Sequence, residues 1–103
     1  MNQHDCLLTL ALPAALQEEV LDFLQAHPEW VSGFSVVHAE GFGAGSHLRS
    51  TIEQVRGRAQ RVLVQMSMQV IHHPVLIETL GKEFPSKEIA WWLTPIMAFG
   101  RLS

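Results

Sequence analysis

The run from Arg61 to Val70 constrains the fold most tightly. Val62, Val64, Met66, Met68 and Val70 alternate with Arg61, Leu63, Gln65, Ser67 and Gln69. A repeat of two places successive side chains on opposite faces, as in an extended strand. One face is apolar and the other mixed, so the run predicts a strand that rests on a core. Three further runs predict strands. Leu8, Leu10 and Leu12 alternate with Leu7, Thr9 and Ala11, apolar enough to be buried on both faces. Within Val31 to Ala39, Phe34, Val36 and His38 face one way and Ser35, Val37 and Ala39 the other. Glu88 to Pro95 is the fourth, with Trp91 and Trp92 on opposite faces.

Two segments between these runs change period. Leu16, Val20, Phe23 and Leu24 follow helical spacing, with Gln17, Glu18, Glu19 and Asp22 on the wet face. Pro13 suits the first turn of that helix, where its missing N–H costs nothing. His27-Pro28 stops it, because the residue before proline disfavours the α region. Pro74 opens a second helix with Leu76, Ile77, Leu80 and Phe84 as its core stripe, and Phe84-Pro85-Ser86 reads as a turn. Gly81 is an interior cost or an early end to that helix.

The order β-α-β-β-α-β predicts an α+β, ferredoxin-like fold: an antiparallel four-stranded sheet with two helices on one face, as a single domain over residues 1–103. The helices cover only one face, so at least one of Trp91 and Trp92 lies on the other. The chain is 48% hydrophobic, and a domain of this length buries only about two-thirds of its unfolded surface. An open apolar sheet face marks an interface, and a homo-oligomer with packed sheets is expected.

The stretch between Ala39 and Arg61 is polar, basic and poor in strand formers, and it begins with Gly41-Phe42-Gly43-Ala44-Gly45-Ser46-His47. A connection of that length, at about residues 41–59, is uncommon in a small domain unless it has a function. Glycines let a backbone approach a ligand and offer N–H groups to an anion; alternatively they only permit a bend. The third glycine of a dinucleotide fingerprint is missing, and the context is strand–loop–strand rather than strand–helix. Arg49, Arg56, Arg58 and Arg61 concentrate most of the seven Lys and Arg residues in or beside the loop. Because the rest of the chain is acidic, they suggest an anionic ligand or a partner surface rather than a merely solvated loop.

Other classes find little support. The net charge is −3 and no basic field argues for nucleic acid. No apolar run approaches the ~18 residues of a membrane span, and Leu7 to Leu12 is too short for a secretory signal. One cysteine excludes an internal disulfide framework, which fits a reducing cytoplasm. Six histidines are many for this length and imidazole ligates zinc, copper and nickel. His38 and His47 flank the loop base, but no HxH, HxxxH or CxxC spacing is present. Surface or helix-capping roles suit each histidine singly, and the adjacent His72 and His73 point in different directions. Cys6, Met66 and Met68 read as core. No nucleophile has a base nearby in sequence and there is no Walker loop, so an enzyme is not expected.

Ala39-Glu40-Gly41-Phe42-Gly43, the long loop, and Gln60-Arg61-Val62-Leu63-Val64 together resemble the PII signal-transduction superfamily. The opening Asp5-Cys6-Leu7-Leu8-Thr9-Leu10, the segment Glu53-Gln54-Val55-Arg56-Gly57-Arg58 and the ending Gly100-Arg101 resemble an uncharacterised proteobacterial branch of it, often encoded beside heavy-metal efflux pumps. The resemblance implies a trimer that binds a small effector between subunits at the loop base. It implies ligand-binding roles for Gly41, Phe42, Gly43, Arg61, Lys87 and Arg101. It makes the loop, with His47, Arg49, Glu53, Arg56 and Arg58, a surface for a partner such as a membrane efflux or transporter protein. The effector implied is an adenine nucleotide or a divalent transition metal. Pro85 departs from the family's glycine-rich turn and removes a backbone donor, which weakens the case for ATP. The alternatives are a metal-tolerance protein resembling the CutA-like branch, with His38 and His47 as ligands, and an oligomeric interaction module without a ligand.

Overall fold

The computed structural model describes residues 4–41 and 59–103. The elements are β1 (Cys6–Pro13), α1 (Gln17–Gln25), β2 (Ser35–Gly41), β3 (Ala59–Met68), α2 (His73–Glu83) and β4 (Ala90–Pro95). The strands form one antiparallel sheet in the order β2-β3-β1-β4, so the two most apolar strands lie at its centre. With two helices on one face, this is the expected ferredoxin-like α+β fold.

Register explains which residues meet the helices. Leu8 pairs with Met66 and Leu93, and Leu10 with Val64 and Trp91. Leu8, Leu10, Leu12, Val62 and Val64 are 0% exposed, as are Val20 and Leu24 of α1 and Leu76 of α2. Together they form the core. Each buried Leu of this set stabilises the fold by roughly 1.5–3 kcal/mol. The opposite face carries Leu7, Thr9 and Ala11 beside Leu63, Gln65 and Ser67 of β3 and Trp92 of β4. Trp91 therefore faces the helices and Trp92 the open side, as period two requires. Thr9 is buried on that open side, between Gln65 and Trp92 in register.

Four boundaries differ from the sequence reading. Trp30 and Val31 donate their N–H groups to the carbonyl of His27, which holds Val31 in the turn after α1; its apolarity serves the core, where it is 5% exposed, and β2 begins only at Ser35. Val70 leaves β3 because its N–H donates to the Asp5 carboxylate at 2.7 Å, capping a 3-10 turn over Val70–His72. Glu88 precedes β4 because its N–H donates to Ser86 Oγ at 3.1 Å, inside a turn. Pro13 ends β1 instead of opening a helix, and a 3-10 turn (Ala14–Leu16) intervenes before α1. Pro74 sits in the first turn of α2, which continues through Gly81 to Glu83.

Candidate functional site

Antiparallel pairing fixes the site before any side chain is considered. The C-terminal ends of β1 and β2 and the N-terminal ends of β3 and β4 all lie at one edge of the sheet. Gly41 pairs with Ala59 and closes the base of the connection between β2 and β3. Arg61 lies between Ala39 on one side and Pro13 on the other. Its guanidinium reaches across β1: Nη2 donates to the Ala11 carbonyl at 3.3 Å and to the Glu88 carbonyl at 2.9 Å. The segment before β4, with Lys87, is thereby tied to the start of β3. Of the five donors on a guanidinium, those on Nε and Nη1 have no partner among the described residues. Lys87 is exposed and makes no ion pair with another described residue.

Gly41, Arg61 and Lys87 are thus gathered at the loop end. Arg101 is at the opposite end. There His4, Ser32, Gly33, Gln65, Phe99 and Arg101 line an open cavity of about 420 Å³. The Arg101 guanidinium carbon lies 5.7 Å from the Phe99 ring centroid. His4 stacks on Phe99 at 3.9 Å and its Nδ1 is 2.8 Å from Ser67 Oγ. Phe42, Gly43, His47, Arg49, Glu53, Arg56 and Arg58 lie outside the described residues.

The histidine positions bear on a metal site. His38 is exposed on the edge strand β2, paired with Val62, and the other expected ligand, His47, lies outside the described residues. Among the described residues no three His, Cys, Asp or Glu side chains gather closely enough to hold a metal ion. His72 Nε2 is 3.1 Å from Gln69 Oε1, whereas His73 Nδ1 donates to the Val70 carbonyl at 2.7 Å, so the two rings are held by different partners. Cys6 is buried, with Sγ 3.5 Å from the Met68 carbonyl. Burial pushes its thiol pKa up, aided by the Asp5 charge, the opposite of what a reactive cysteine needs.

Two features escaped the sequence reading. His27 stacks on Trp30, with ring centroids 4.7 Å apart and an interplanar angle of 8°, and its Nδ1 is 3.1 Å from Glu29 Oε2. The spacing His27-x-Glu29-Trp30 is the only sequence signal for it. Beside Lys87, a cavity of about 340 Å³ opens between the end of α2 and β4. No sequence pattern announces that cavity, because it depends on how α2 meets the sheet.

Several solved structures resemble this one over nearly all of its length. A DUF3240 family protein from Shewanella baltica OS155 is 21% identical, with a TM-score of 0.75 and all of both chains covered. CPII, a nitrogen regulatory PII-like protein from Thiomonas intermedia K12 bound to ADP, AMP and bicarbonate, is 16% identical, with a TM-score of 0.70 over 95% of this chain and 96% of that one. CutA1 from Pyrococcus horikoshii OT3 is 10% identical, with a TM-score of 0.70 over 92% of this chain and 86% of that one. At such identities the likeness shows a common fold, that of the PII-like and CutA proteins. No curated protein matches the chain. No helix among the described residues is long and apolar enough to cross a membrane. The family assignment comes from the sequence itself: over residues 2–103 the chain matches, and belongs to, DUF3240, a family of proteins of unknown function.

Proposed function

We propose that this chain is a non-enzymatic PII-like regulatory protein. It acts in the cytoplasm as a one-domain subunit of a homotrimer, and it binds an adenine nucleotide in the cleft between subunits. One observation carries this reading. The basic residues suited to an anionic effector are divided between the two ends of the sheet, with Arg61 and Lys87 at one and Arg101 at the other. A single chain cannot bring them together, whereas a head-to-tail contact between copies can. The apolar surface for such contacts is present: Val37 and Trp92 on the open face are 43% and 44% exposed, and Met97 and Leu102 beyond β4 are fully exposed.

In the cleft, Arg61 keeps Nε and Nη1 for a phosphate oxygen while Nη2 holds the β4 entry in place. A planar guanidinium suits such bidentate contact. Lys87 adds a point charge. Gly41 lets the backbone at the loop base approach the ligand. Pro85 supplies no N–H, so the side-chain cations carry more of the anion's charge than backbone donors do. CPII, which shares the fold, was solved with ADP and AMP, which makes these two nucleotides the first to test. Binding at the loop base would be transmitted through residues 42–58, with His47, Arg49, Glu53, Arg56 and Arg58, to a protein partner, a component of a heavy-metal cation efflux system. A ligand shifts such an equilibrium only by its differential affinity for the two states.

The reading is tested by titrating metal-free protein with ADP, AMP and Zn²⁺ in separate calorimetric runs, with its mass followed by sedimentation. Saturable nucleotide binding by a trimer supports it. A monomer, or a protein that binds Zn²⁺ and no nucleotide, contradicts it, and the latter result would favour the CutA-like metal-tolerance alternative.

A further inference from the structure

We infer that the cavity between the end of α2 and β4 is a second binding site, complete within one chain, for a small apolar carboxylate. Its volume of about 340 Å³ falls in the range of about 300–1,000 Å³ seen for small-molecule sites. Ile77, Leu80, Phe84 and Trp91 give it apolar walls, and Lys87 is the charged residue among those that line it. An apolar chamber with one cation at its rim matches a ligand with a hydrocarbon body and a single negative end. Ser86 Oγ accepts from the Glu88 N–H, which leaves the hydroxyl proton to donate to a carboxylate oxygen.

Gly81 also marks the cavity as a place kept open. It lies inside α2, where glycine is less favourable than alanine. A Cβ built at Gly81 meets nothing within 4 Å, and its φ is not in the left-handed region. Neither a turn nor close packing accounts for the glycine, and the space it leaves is part of the cavity wall. Trp91 faces the helix layer in register with Leu10, yet it remains 44% exposed at a place where a ligand would cover it.

This site needs no second copy, so it goes beyond the intersubunit reading; the two share Lys87, so octanoate and nucleotide should compete for it. The test uses octanoate, with octanol as its uncharged match, followed by equilibrium dialysis and by tryptophan fluorescence in a Trp30→Phe/Trp92→Phe background. The expected result is saturable binding of one octanoate per chain, at least tenfold tighter than octanol, with a shift in Trp91 emission. Gly81→Leu, which fills the chamber, should reduce octanoate affinity at least tenfold, and Ile77→Trp serves the same end if that variant does not fold. Lys87→Gln should bring octanoate and octanol to equal affinity. Non-saturable uptake, indifference to both filling variants, or equal binding of octanol by the parent would each overturn the proposal. So would a change in sedimentation on filling, which would mean that a second copy occupies the cavity. Nucleotide binding measured on the parent and the two filling variants, which keep Arg61, Lys87 and Arg101, separates these outcomes from failure of the intersubunit site.

Discussion

Arg61 Nη2 donates to the backbone carbonyl of Glu88 at 2.9 Å, joining the start of β3 to the approach of β4 across the intervening end of β1. The same nitrogen donates to Ala11 at 3.3 Å. The side chain therefore fixes the segment that presents Lys87, and it does so with Nη2 alone, Nε and Nη1 having no partner among the described residues. Arg61→Lys keeps the charge and loses this two-carbonyl bridge. The site is only partly buried, so the expected loss is about 1–2 kcal/mol, or roughly 4–15 °C in melting temperature for a domain of this size. Calorimetric melts of the two proteins at one concentration would check it, and an unchanged melting temperature would show that the bridge is incidental.

Leu10 is 0% exposed at the centre of the sheet, between Val64 and Trp91 in register. Leu10→Ala removes that volume from a core with little room to relax. The expected cost is about 2–5 kcal/mol, enough to leave much of the protein unfolded at 37 °C if its total stability is near the lower end of the usual 5–15 kcal/mol. Urea denaturation should show a lower midpoint with an unchanged slope.

Gly81 offers the opposite sign. Its backbone is helical and an added methyl group meets no neighbour within 4 Å. Gly81→Ala should therefore stabilise by about 0.5–1 kcal/mol and raise the melting temperature by a few degrees. A fall would mean that α2 depends on the glycine for something other than space.

Cys6 sets an alkaline limit. Burial, with help from Asp5, raises its thiol pKa in the folded state. The unfolded thiol titrates near about 8.5. The folded protein therefore holds the proton more tightly, and this group's contribution is complete below that pH and lost as pH rises through the higher folded value. The stability difference between the parent and Cys6→Ala should shrink steadily above about pH 8.5. Alkylation of the native protein at pH 8 should also be slow and become rapid in urea; fast native alkylation would contradict the burial seen here.

Much of the fold was legible because period two and helical spacing are local. Val62, Val64 and Met66 announce β3, and the alternation through Leu8, Leu10 and Leu12 announces β1. Val31 breaks the pattern because apolarity records burial, not conformation: it is buried in the core while the His27 carbonyl takes its N–H. Val70 is neither buried nor in the strand, being 44% exposed with its N–H on the Asp5 carboxylate. The convergence of Gly41, Arg61 and Lys87 follows from strand order, so the order alone predicts it. The Arg61 bridge depends on carbonyls at Ala11 and Glu88 that no side-chain pattern reveals. Likewise, Arg101 falls at the far end of the sheet because the chain beyond β4 runs on past the Asp5 carbonyl, to which Ile96 N–H donates at 3.0 Å.

In the proposed mechanism two copies build one effector site. Its most direct test is calorimetric titration with ADP of three samples: Lys87→Ala, Arg101→Ala, and a mixture of the two reassembled from denaturant. The account predicts that each variant alone loses most of its affinity, while the mixture regains part of its capacity at parental affinity, because some interfaces then pair an intact Lys87 with an intact Arg101. A silent mixture, or an Arg101→Ala protein that binds ADP as the parent does, would contradict it.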